Sequence, residues 1–138
     1  MGEKRIGIAI SDEFGWTAQG LKILYRRSIE DDILEIKNLI QNEKVTEVVV
    51  GLPKNMNGSL GIEAQKILSF VRMMERSLSV PIILWDERLT TSEATRLLIK
   101  ADLSRKKRRK VIDKLAAVLI LQTYLDSLGR DENRKDEQ

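Results

Sequence analysis

Three valines in a row, Val48-Val49-Val50, are followed by Gly51 and Leu52, and the stretch 45–52 reads as a strand. A strand with one wet face alternates apolar and polar residues. An unbroken apolar run instead suits a central strand covered on both faces. Strands of that kind pair in parallel, and a parallel partner needs a crossover long enough to hold a helix. Here the crossover is 62–77, with Ile67, Leu68, Val71 and Met74 at helical spacing. A second apolar strand follows at 80–85 and ends at Asp86-Glu87. Upstream, 28–42 carries a helical stripe of Ile29, Ile33, Ile36, Leu39 and Ile40, and Ser28 with Asp31 has the pattern of a helix start. Alternating strands and helices predict an α/β domain with parallel central strands.

The front of the chain is different. Residues 5–11 alternate, with Ile6, Ile8 and Ile10 on one side and Gly7 and Ala9 on the other, as in a half-buried strand. Asp12-Glu13-Phe14-Gly15 is a turn, and 21–25 a short second strand, so the sheet is expected to be mixed. Gly2-Glu3-Lys4 reads as a hairpin turn, which implies a strand ahead of Met1. Thr90 and Glu93 have capping-box spacing and predict a short helix reaching Lys100. A last helix is predicted over 108–128. The whole is one domain, 1–128, and the charged tail 129–138 is expected to be disordered.

Two absences bound the chemistry. Among 138 residues there is no cysteine and no histidine. Thiolate nucleophiles, zinc–cysteine sites and the commonest general base are therefore excluded. Catalysis must rest on carboxylates, lysine, hydroxyls or a cation held by oxygen ligands, which suits Mg²⁺ or Mn²⁺. No apolar run is long enough for a membrane span, and the start lacks the features of a signal peptide, so a cytoplasmic location is expected.

The formal net charge is +3, yet Arg105-Lys106-Lys107-Arg108-Arg109-Lys110 places six cations in succession. Such a block reads as a phosphate-binding patch, or more plainly as a solvated basic loop. No aromatic residue interrupts it, so its contacts would be to backbone phosphates and strongly salt-dependent.

Three acids could carry chemistry. Asp86 and Glu87 sit where a buried strand ends, the edge at which open α/β sheets bind ligands. Adjacent residues alternate sides, so at most one points into a given site; both could equally open a loop and complement a helix N-terminus. Asp113 lies on the face shared by Ala117, Ile120 and Tyr124, a stripe otherwise suited to burial. A charge there calls for a cation, a metal or the edge of an aqueous cleft; more plainly, it is a partly exposed acid near the helix start, favoured by the dipole. Asp12, followed by Glu13, reads as turn chemistry.

Taken in order, GEKRIGIAISD, VVVGLPKNMNGSLG, WDERLTTSEA and RKKRRKVIDKLAAVLILQTYLD resemble the YqgF (RuvX-like) family along nearly the whole chain. Its members are described as pre-16S rRNA nucleases and as Holliday junction resolvases. The resemblance implies an RNase H-like fold: a mixed five-stranded sheet, its first three strands a meander, with helices on both faces. It implies a nuclease whose acids hold one or two Mg²⁺ or Mn²⁺ ions. Carried over by motif, the metal ligands are Glu87, preferred to Asp86, and Asp113. The family's first acid would stand just before Met1, at the end of a first strand that this chain lacks, so a misassigned start is expected. Nucleic acid would be held by the cations of 105–110, with Lys4, Arg5, Lys54, Asn55 and Arg88 nearer the site. The implied partners are precursor rRNA, alternatively branched DNA, and ribosomal precursor particles; a two-fold junction would call for a homodimer. A nucleic-acid-binding protein without catalysis is the competing expectation.

Overall fold

A computed structural model describes residues 4–89 and 105–136; the side chains of 89, 105–113 and 130–136 fall outside that description. The predicted helix at Thr90–Lys100 and the turn at Gly2-Glu3-Lys4 lie largely outside the described residues. The elements are β1 (Arg5–Ser11), β2 (Ala18–Tyr25), α1 (Ile29–Asn42), β3 (Val48–Leu52), α2 (Ile62–Ser77), β4 (Ile82–Asp86), a 3-10 turn (Glu87–Leu89) and α3 (Arg105–Asp136). No helix among the described residues is long and apolar enough to cross a membrane.

β1 and β2 form an antiparallel hairpin with Arg5 opposite Tyr25 and Ser11 opposite Ala18. Its turn is made by Asp12: the carboxylate Oδ1 accepts from the Trp16 backbone N–H at 2.8 Å, and Gly15 adopts φ 71°. A positive φ costs glycine nothing, which is why the turn ends there. β2 begins three residues earlier than the sequence suggests. The reason is remote: Gln122 of α3 accepts from the Ala18 N–H at 2.9 Å and donates to the Trp16 carbonyl at 2.8 Å.

β3 and β4 pair in parallel, Val48 beside Ile82 and Leu52 beside Asp86, with α2 as the crossover. The helix starts follow the sequence. The Ser28 hydroxyl caps α1 by accepting from the Asp31 N–H at 3.1 Å, satisfying a backbone donor that the first turn leaves without a partner.

α2 fills the core. Ala64, Ile67, Phe70, Val71 and Met74 are buried against Ile6 of β1, Leu24 of β2, Ile33 of α1 and Leu52 of β3. Burial of each of the larger side chains contributes roughly 1.5–3 kcal/mol. Asp32, only 1% exposed, sits beside that cluster on the inner side of α1. It is tolerated because Arg26 Nε meets Oδ2 at 3.3 Å and the Arg27 N–H donates to Oδ1 at 3.1 Å. The Arg26 guanidinium also lies 5.3 Å over the Phe70 ring, tying the end of β2 to both helices. Ile120 and Tyr124, the buried side chains among the described ones of α3, stand apart from this cluster, while α3 packs on β1 and β2 and, less extensively, on β3.

Two expectations need correction. The described strands form two separate two-stranded ladders, β1–β2 and β3–β4, and are not joined into the single mixed sheet expected of them. Between them lies a cavity of about 1480 Å³, lined by β1 from Ile6 to Ser11, by β3 from Val48 to Gly51, and by α3 residues including Ile120. For the same reason Val48, Val49 and Val50, which line it, are only half-buried. Second, α3 begins at Arg105 and continues to Asp136, past both expected ends.

Candidate active site

The end of β4 separates the two neighbouring acids. Asp86, the last strand residue, turns to Arg88. The guanidinium meets it in a fork, Nε to Oδ1 at 3.1 Å and Nη2 to Oδ2 at 2.7 Å, while the Arg88 N–H donates to Oδ1 at 3.0 Å. Hydrogen bonds from Arg88, side chain and then backbone, hold the Asp86 carboxyl below its usual pKa, and the charge of Lys54 adds to this. Arg88 is pushed up in turn by Asp86. Arg88 Nη1 also reaches the carbonyls of Asn55 and Met56, each at 3.4 Å.

Glu87 goes the other way. Its side chain lies on Gly51, the residue of β3 that pairs with Trp85. A Cβ on Gly51 would fall 2.7 Å from Glu87 Oε1 and 2.7 Å from Ile120 Cδ1. Only glycine leaves room for the carboxylate there. Glu87 also lines the cavity between the ladders, so its carboxylate is held by a strand and a helix and borders open space.

Ile120 connects this point to the third acid. On α3, positions 113, 117, 120 and 124 share a face, and Asp113 precedes Ile120 by two turns, about 10.5 Å of axial rise. The Asp113 side chain lies outside the described residues, so its distance to Glu87 is not part of this geometry. Farther along the same face, the Tyr124 hydroxyl donates to Glu47 Oε1 at 2.7 Å, and its ring meets Trp85 edge-on with centroids 5.7 Å apart. Burial, reinforced by the Glu47 carboxylate, pushes the Tyr124 phenol up to about 12.

The predicted cations fall into three places. Lys54 and Asn55 lie in the loop after β3. This loop is bonded to itself: the Asn55 N–H donates to the Ser59 carbonyl at 3.0 Å and the Gly58 N–H to the Asn55 carbonyl at 2.8 Å. Lys54, Asn55, Asp86 and Arg88 thus form one cluster beside Glu87. Lys4 and Arg5 open β1 on the other ladder, where the Lys4 carbonyl accepts from the Arg26 N–H at 2.9 Å. Arg105, Lys106, Lys107, Arg108, Arg109 and Lys110 occupy the first turns of α3, which the sequence reading placed partly in a loop. No acidic residue stands in that first turn. Cations at a helix N-terminus oppose the helix dipole, so the block weakens the helix unless it meets anions.

Gly51 is the site residue that the sequence reading passed over. A glycine inside a strand marks a close approach of other atoms, and that signal was present after three valines.

An acid at the carboxyl end of a parallel strand, with a glycine floor beneath it, sits at the edge where α/β domains bind their ligands. The chain belongs to the RuvX family: the family model described as "RuvX: Holliday junction resolvase" matches residues 1–127. It is 59% identical over 128 residues to a protein of Thermoanaerobacter pseudethanolicus, covering 92% of each chain. It is 54% identical over 125 residues to one of Halothermothrix orenii, covering 91% of this chain and 89% of that one. A protein of Clostridium acetobutylicum is 50% identical over 128 residues, 93% of this chain and 95% of its own. All three are named "Putative pre-16S rRNA nuclease".

Proposed function

We propose that this protein is a cytoplasmic, metal-dependent nuclease that hydrolyses phosphodiester bonds and trims the 5′ end of the 16S rRNA precursor. The observation that carries the reading is Glu87, seated on Gly51 against Ile120 and bordering the cavity. The names of the relatives supply the substrate. The donor set fits a hard cation: with no histidine or cysteine in the chain, only oxygen ligands are on offer, and Asp86 is already engaged by Arg88. Glu87 and Asp113 would hold Mg²⁺ or Mn²⁺. When bound, the ion supplies Lewis-acid activation of water and neutralises charge on the phosphate.

The chain's own groups bind and orient. The cations of residues 105–110 would grip phosphates flanking the cut, with Lys54 closer in; Lys4 and Arg5 would hold the strand from the hairpin side. Asn55 keeps the shape of the loop that presents Lys54.

Cleavage of a precursor fragment with a matured 5′ end as product tests the reading, with a four-way DNA junction as the competing substrate. Glu87→Gln and Asp113→Asn should each lower the rate about 10³-fold, some 4 kcal/mol, while leaving RNA binding intact. Junction cleavage without RNA cleavage would move the substrate to branched DNA. Binding without cleavage of either would leave a binding protein.

A further inference from the structure

Arg88 stands beside the candidate site and, by charge alone, would be counted among the phosphate contacts. Its geometry says otherwise. Nε and Nη2 are both spent on Asp86, at 3.0 and 2.7 Å to Oδ2, and the remaining nitrogen, Nη1, is directed at two successive carbonyls of the loop after β3. The 3.4 Å contacts are long for single hydrogen bonds, but both are made by one charged nitrogen and both fall on the same turn. On the far side of that turn, a Cβ on Gly58 would be 3.9 Å from Nη1, so the guanidinium lies against the loop. The loop is otherwise closed by its own bonds, Asn55 to Ser59 and Gly58 to Asn55.

We propose that Arg88 is a positioning residue: with Asp86 it braces the 53–61 loop onto the end of β4 and so fixes Lys54 beside Glu87. The guanidinium acts through its fork and not through its charge. Asp86 is then the anchor of the brace rather than a metal ligand. Both residues serve Glu87 indirectly, because the brace also fixes the 3-10 turn from which Glu87 projects.

The activity part of this inference rests on the nuclease reading, but its structural part does not. Hydrogen exchange at the Asn55 and Gly58 amides reports the loop directly. Arg88→Gln and Asp86→Ala should each speed that exchange about tenfold, the scale of one lost charged hydrogen bond. Arg88→Lys should not restore protection, since an ammonium cannot make the paired fork. In RNA binding, Arg88→Gln should weaken affinity without flattening its salt dependence, whereas Lys54→Gln should flatten it by about one phosphate. If Arg88→Gln flattens the salt dependence and leaves loop exchange unchanged, Arg88 is a phosphate ligand and the proposal is overturned. Recovery by Arg88→Lys overturns it equally. Should the wild-type protein bind no nucleic acid, the nuclease reading fails, and the exchange rates still decide the brace.

Discussion

The β1–β2 ladder closes through the short turn at 12–17, whereas the β3–β4 ladder is joined by the sixteen-residue helix α2. The first is held from outside: α3 reaches it through Gln122, and Lys114 packs over Gly20, where a Cβ would come within 2.6 Å of the lysine Cε. The second carries its polar chemistry at its own carboxyl end, where Gly51, Asp86 and Glu87 meet. A hairpin needs only a turn and a packed face, so its residues are free to serve stability. A parallel pair gathers the ends of both strands at one edge, and there the reactive side chains collect. The difference predicts that substitutions in the hairpin will change stability, and substitutions at the parallel edge will change the site.

The largest effect should separate the two halves most clearly. Leu24→Ala, in β2 and 1% exposed, should cost about 3–4 kcal/mol in denaturant unfolding while leaving the activity of the folded fraction intact. A loss of activity per folded molecule would break the comparison. Gly51→Ala is the counterpart in β3. The added methyl must displace Glu87 or Ile120, so about 1–3 kcal/mol of stability should go and cleavage should fall further than stability explains. Equal losses in both quantities would make Gly51 a packing residue only.

Tyr124→Phe should be the mildest, removing one hydrogen bond to Glu47 for about 1 kcal/mol. Its pH dependence has a fixed sign. The folded phenol titrates near 12, above its ordinary value, so its contribution is complete below about pH 10 and is lost as pH rises through 12. Alkaline unfolding of the wild type and Tyr124→Phe should therefore converge above that range. Asp86 has the opposite sign. Its carboxyl is held below the usual carboxylate range by Arg88, so the brace persists through neutral pH and opens only as acid protonates it, visible as lost protection of the Gly58 amide relative to its intrinsic exchange rate.

Local chemistry was legible in the sequence. α2 falls at Ile62–Ser77, where helical spacing put it, and Ser28 caps α1 as its pattern required. The turn after β1 forms around Asp12 and Gly15, as those residues suggest. What escaped depends on partners far away in the chain. Ala18 joins β2 because Gln122 reaches it across 104 positions, and Asp32 can be buried only because Arg26 and Arg27 approach it from the end of β2. Of the site, the motif favours Glu87 over Asp86; that Arg88 engages Asp86 while Glu87 lies on Gly51 is visible only in the fold.

α3 is made last and yet completes what is made first. Its residues 114–125 finish the hairpin at Ala18, cover Gly20 and supply the Ile120 wall beside Glu87. During synthesis, every earlier element can emerge and pack locally while Glu87 still lacks that wall. Before α3 packs, the hairpin is unfinished at Ala18 and Glu87 has no Ile120 beside it, so this edge is completed only when the farthest element docks.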